Sequence, residues 1–172
     1  MSVAPILVVG TGRSATSRTA KALIELGVYM GTSFRPATDA NPEGHFEDVD
    51  FWNVNRWRFN GEITVEDWRH AVRHLAAMRR PPWGFKDPMT AHFLPDYIAL
   101  LSPRFVWCRR PEHEFIASCR RHYDWTAQAA KDLFDLRHGM CASHLKGQDV
   151  LELWVQDWTA GKAEAQLKEF VT

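Results

Sequence analysis

Ile6-Leu7-Val8-Val9-Gly10-Thr11-Gly12-Arg13-Ser14-Ala15-Thr16-Ser17-Arg18-Thr19 decides how this chain folds. Ile6 to Val9 is a short apolar run, rich in β-branched residues, as in a strand buried on both faces. Gly10 and Gly12 then permit a tight turn. Ser14, Thr16 and Ser17 open an amphipathic stretch that reads as a helix. A strand, a glycine turn and a helix start make a cradle for phosphate. The first N–H groups of the helix have no internal partner and lie at the positive end of its dipole. Arg13 adds a charge whose fork matches phosphate oxygens.

A nucleoside-triphosphate loop wants Gly, four residues, Gly, Lys and then Ser or Thr. Gly10 is followed at that spacing by Ala15, Thr16 and Ser17, so the lysine is missing. A dinucleotide fingerprint fits Gly10, Gly12 and Ala15, but it requires an acid at the end of a second strand. Val28 to Phe34 contains none. An ordinary strand-to-helix turn would use the same hydroxyls only as caps.

The 172 residues suit one domain, spanning 1–172, with a substantial core. There are 21 basic and 21 acidic residues, so no global charge favours nucleic acid or an anionic membrane surface. Any positive field must be local. Cys108, Cys119 and Cys141 are odd in number and lack framework spacing, which fits reduced thiols in the cytoplasm. There is no basic leader, and the first apolar run is too short to span a membrane.

Further along, helix patterns cover Ala15–Leu26, the region around 45–55 with Glu47 and Asp48 in its first turn, and Val65–Met78. Others follow at Thr90–Leu101, after Arg109-Arg110-Pro111, at Thr126–Leu145 and at Ala163–Val171. Arg69, His70, Arg73, His74, Arg79 and Arg80 read as a solvated face. Strand patterns cover Val28–Met30, the stretch around Trp83–Pro88, Arg104–Cys108 and Val150–Val155. Gly31–Glu43 is a long loop of turn-forming residues, and such loops usually serve function. Strands alternating with helices predict an α/β domain of three layers, a mostly parallel sheet flanked by helices. Ligands then bind at the carboxyl ends of the strands. Arg13, Lys86, Arg109 and Arg110 all fall near such ends, which points to a polyanionic ligand.

Gly10-Thr11-Gly12-Arg13-Ser14-Ala15-Thr16-Ser17 resembles the phosphosulfate-binding loop of sulfotransferases that use 3′-phosphoadenosine 5′-phosphosulfate (PAPS). It departs from that pattern by Gly12 in place of Pro and Ala15 in place of Gly. Residues 41–48, Asn-Pro-Glu-Gly-His-Phe-Glu-Asp, resemble an Asn-x-x-Gly-Tyr/His-Phe-Glu segment of bacterial members. Residues 84–88, Gly-Phe-Lys-Asp-Pro, resemble their Lys-Asp-Pro strand. Residues 108–118 resemble the segment that grips the 3′-phosphate, with Arg109 or Arg110 and Ser118 as its ligands. The four motifs follow the family's order over residues 6 to 125.

The resemblance implies a P-loop-like fold and sulfuryl transfer from PAPS to the hydroxyl or amine of a small-molecule or carbohydrate acceptor. Adenosine 3′,5′-bisphosphate would be the product, with no metal. Gly10 through Ser17 would cradle the phosphosulfate, and Arg13 and Lys86 would stabilise developing charge. Glu47 would take the acceptor's proton, with His45 the other candidate. Trp52, Trp57 and Trp83 are candidates to line the acceptor pocket. The rival readings are a P-loop-type nucleotide kinase, a nucleotide-binding module without turnover, and, more remotely, a nicotinamide oxidoreductase.

Overall fold

Side chains of the central strands alternate between two apolar layers, and that alternation organises the molecule. The computed structural model describes residues 4–172. Strand β1 (Ile6–Gly10) is buried along its whole length. It pairs in parallel with β2 (Gly84–Lys86) on one side and β3 (Arg104–Arg109) on the other. Strand β4 (Val150–Trp154) pairs in parallel with β3, so the sheet order is β2-β1-β3-β4.

Leu7, Val9, Phe85, Phe105 and Trp107 face one helical layer. It is built from α2 (Val49–Phe59), α3 (Val65–Ala77), α4 (Leu94–Leu101) and α6 (Ala127–His144). Phe51 of α2 stacks on Phe85 with centroids 4.0 Å apart. Ile6, Val8, Val106, Cys108 and Leu153 face the second layer, which contains α1 (Thr16–Glu25) and α8 (Ala163–Val171). Helix α5 (Glu112–Tyr123) follows β3 and packs on α6 through Phe115, Cys119, Ala130 and Phe134. The outcome is the single α/β domain with a parallel sheet between helices that the alternation of elements predicts. All three cysteines are buried and free. No helix among the described residues is long and apolar enough to cross a membrane.

The structure corrects five local expectations. Val28–Met30 is not a strand; Tyr29 alone bridges Trp83, and Val28 and Met30 fill the second core. Glu47 precedes the second helix, because Asp48 caps it by accepting from the amides of Asp50 and Phe51. The helix expected at Thr90–Leu101 is a 3₁₀ turn (Pro88–Phe93) followed by α4, and Pro95 sits in the first turn of α4, where it removes no bond. The last strand stops at Trp154, where Asp157 accepts from the Trp154 amide and opens a short α7 (Val155–Thr159). Arg79 does not lie on the solvated face: its side chain is 8% exposed and pairs with Asp48 and Asp50.

Candidate active site

The turn between β1 and α1 is built from unusual backbone. Gly12 has φ +81°, and Arg13 and Ala15 also take positive φ values of 48° and 62°. Holding a non-glycine residue there costs about 1–2 kcal/mol, and such outliers cluster at ligand-binding turns. Ala15 is the N-cap of α1 and offers no side-chain cap. The first helical amides therefore have no side-chain acceptor at the cap and are available to an anion. Thr11 and Ser14 are buried and share a hydrogen bond of 2.9 Å, which rigidifies the turn from within.

A cleft of about 820 Å³ opens over this turn. Arg13, Arg18, Lys86 and Arg110 line it together with Glu47 and His45. Arg13 donates through Nε to Ser118 Oγ at 3.2 Å and through Nη1 to the Ala40 carbonyl at 2.6 Å. Arg110 donates to the Arg13 carbonyl. Arg13 thus links Ser118 and Arg110 beside the cleft. Arg109 does not join them: it pairs with Glu152 at 2.6 Å and lies over the rings of Trp107 and Trp154. Arg109 is the last residue of β3 and Arg110 lies just beyond it, and the two side chains take different partners.

Lys86 marks the floor. It is opposite Val8 in the β1–β2 register and is 2% exposed. Its Nζ donates to Glu47 Oε1 at 2.8 Å. Arg35, from the long loop, donates to Glu47 Oε2 at 2.7 Å and lies over the ring of Trp52. Burial alone would raise the Glu47 carboxyl, but Lys86 and Arg35 outweigh it and hold it below its ordinary range. Burial draws the Lys86 ammonium down, with Glu47 opposing. Burial also lowers His45, and nearby Arg35, Lys86 and Arg13 add to the shift against the opposing charge of Glu47. His45 is therefore neutral at pH 7, with Nε2 3.1 Å from Thr38 Oγ1. Its carbonyl accepts from Ser17 Oγ at 3.0 Å, tying residues 41–47 to α1.

Asp87 does not pair with Lys86. Its carboxylate accepts from Asn55 Nδ2 at 2.8 Å and from the Met89 amide at 2.9 Å. Asn55 is fully buried, and its Oδ1 accepts from Trp68 Nε1 and Tyr97 Oη. Burial pushes the Asp87 carboxyl up to about 6, from an ordinary 3.8. The folded protein thus holds a proton there that the unfolded chain has released, through the window between those values. Stability from this group is full below the unfolded value and is lost as pH rises through about 6. Chemical unfolding of the wild type and Asp87→Asn from pH 3.5 to 7 should show the wild type losing ground to the variant across that window. A constant difference would mean that Asp87 titrates as an ordinary carboxylate.

Of the tryptophans expected to line an acceptor pocket, Trp83 is 5% exposed and belongs to the core beside Phe51. Trp57 is 44% exposed, and Trp52 lies beneath Arg35 and Arg56. The sequence reading missed Arg35, Arg18 and Arg137. Arg35 falls in the loop flagged for its length, so that signal was present. Arg18 stacks on Trp158 at 4.6 Å, which only the packing of α1 on α7 reveals. Arg137 of α6 reaches the Thr11 carbonyl from 126 residues away.

A glycine turn at the carboxyl edge of a parallel sheet flanked by helices gives this chain a P-loop-like α/β fold. The shikimate kinase of Bacteroides thetaiotaomicron shares it with a TM-score of 0.60 at 12% identity, over 96% of each chain. A deoxyadenosine kinase from M. mycoides, solved with bound dATP, matches at TM-score 0.52 and 12% identity, over 98% of this chain and 100% of its own. No protein-family model matches the sequence, and no curated protein does. These likenesses correct the sulfuryl-transfer expectation: both of these solved structures, matched over almost their whole length, are kinases, which favours the rival kinase reading over PAPS chemistry.

Proposed function

We propose that this protein is a P-loop-type nucleotide kinase that seats the phosphates of a nucleoside triphosphate on residues 10–17 and transfers the terminal phosphoryl group to a small-molecule acceptor. The observation that carries the reading is the placement of Lys86. The loop lacks its own lysine, yet Lys86 brings an ammonium to the same cleft from the neighbouring strand. Phosphoryl transfer depends mostly on positioning and charge stabilisation. Arg13 and Arg110 supply further positive charge in the same cleft. His45, neutral and in the cleft, receives the acceptor's proton, while Glu47 holds Lys86 in place. The acceptor is a hydroxyl-bearing small molecule or carbohydrate.

Kinases of this fold class act on magnesium–nucleotide complexes, with a loop hydroxyl and a carboxylate on the metal. Ser17 holds the hydroxyl position, but its Oγ is engaged by His45 and Asn41. Glu47 and Asp87 are both committed to other partners, and no group of three metal-ligating side chains occurs among the described residues. These residues do not fit a protein-held magnesium, and no step here depends on one.

Thermal shift tests the reading. At 100 times its dissociation constant, a ligand stabilises a fold by about 2.7 kcal/mol, a shift of about 5–10 °C for a chain of this size. ATP, with or without magnesium, should produce that shift, and NAD should not. Stabilisation by adenosine 3′,5′-bisphosphate alone would overturn the kinase reading.

A further inference from the structure

Five arginines carry a buried nitrogen with no hydrogen-bond partner among the described residues: Arg58, Arg79, Arg109, Arg110 and Arg137. Four are otherwise accounted for. Arg58 pairs with Asp96, Arg79 with Asp48 and Asp50, Arg109 with Glu152 and Arg110 with Glu114. Arg137 forms no ion pair among the described residues. Its one hydrogen bond is a long contact of 3.4 Å from Nη1 to the Thr11 carbonyl. A guanidinium has five donors. The Nε of Arg137 is buried with no partner, which is unfavourable unless something else accepts from this guanidinium.

The place of this guanidinium indicates what that is. It lies against the glycine turn, where a Cβ built on Gly12 would sit 3.9 Å from Nη1. Gly12 also lines the cleft that holds Arg13 and Lys86. Arg13 belongs to the turn itself and Arg137 reaches it from α6, while Lys86 of β2 lines the same cleft as Gly12. We infer that Arg137 is a binding residue for the terminal phosphate of the nucleotide, its free donors meeting phosphate oxygens held on the Gly12 side of the turn. This rests on the kinase reading, because it requires a polyphosphate on residues 10–17. The glycine at position 12 is required by its φ of +81°, and a Cβ there would only touch the arginine.

Titration calorimetry of the full chain with ATP, inorganic pyrophosphate and AMP tests the inference. Arg137→Gln should bind ATP and pyrophosphate about ten- to a hundredfold more weakly, as expected for lost charge-assisted bonds. AMP binding should change less than about threefold, since AMP has no terminal phosphate. Arg137→Lys keeps the charge without the fork and should fall between wild type and Arg137→Gln for ATP. Unchanged ATP binding in either variant overturns the inference, while wild-type ATP binding preserves the kinase reading. Equal losses for ATP and AMP also overturn it and assign Arg137 to shaping the turn. A wild type that binds neither ATP nor pyrophosphate removes the kinase reading and this inference together. If Arg137→Gln does not fold, Arg137→Lys decides alone, with an unchanged ATP affinity as the overturning result.

Discussion

On the proposed kinase reading, Lys86→Ala should abolish most nucleotide turnover and lower the melting temperature at the same time. The alanine leaves the Glu47 carboxylate, 4% exposed, with Arg35 as its remaining cation. Removing one member of a buried ion pair costs about 3–5 kcal/mol. For a chain of this size that is a drop on the order of 10 °C. Losing a preorganised charge from the transferring group costs a further factor of about 10²–10³ in rate. Transfer of the terminal phosphoryl group of ATP to water provides an assay that needs no acceptor. The double variant Lys86→Met, Glu47→Gln separates the two effects. With both charges gone, stability should return toward wild type, because a matched apolar replacement of a buried pair is often neutral. Turnover should stay lost. A single variant that melts early yet turns over ATP normally would make Lys86 a structural residue only.

Gly84→Ala carries the largest expected effect on the fold itself. Gly84 lies opposite Ile6 in the β1–β2 register. A Cβ there would fall well inside contact distance of the Ile6 carbonyl oxygen and 3.2 Å from Met30 Sδ. The first neighbour is backbone, so relief requires the two strands to move apart. Overpacking of this kind costs about 1–3 kcal/mol, and here the upper end applies because a ladder bond is strained as well. The melting temperature should fall by about 6–12 °C. Lys86 is two residues along the same strand, so ATP affinity should fall with it. Gly139→Ala is the control. Nothing lies within 4 Å of a Cβ at that helical position, and alanine should add about 0.5–1 kcal/mol through helix propensity alone. Equal stabilities for Gly84→Ala and wild type would show that the edge strand can shift freely.

The sequence by itself determined the α/β class, the strand that begins at Ile6 and the glycine turn that follows it. Those features are local: an apolar run, glycines at fixed spacing and helix-opening hydroxyls need no distant partner to be recognised. It also placed Lys86 and Arg110 near strand ends, because parallel topology brings such ends to one edge. The chemistry to be performed at that edge was misread toward sulfuryl transfer, since short motifs around an anion-binding turn record the anion and not the group that moves. Tertiary structure alone decided which arginine reaches the cleft. Arg109 and Arg110 are adjacent in sequence, and only the neighbouring strand, through Glu152 and Trp154, holds Arg109 away from the cleft. It alone tied Glu47 to Lys86 and Arg35, from segments 39 and 12 residues distant in sequence. Arg137 lay beyond sequence reasoning for the same reason. Its meaning depends on a contact across 126 residues, and no periodicity or motif encodes which turn a helix will lie against.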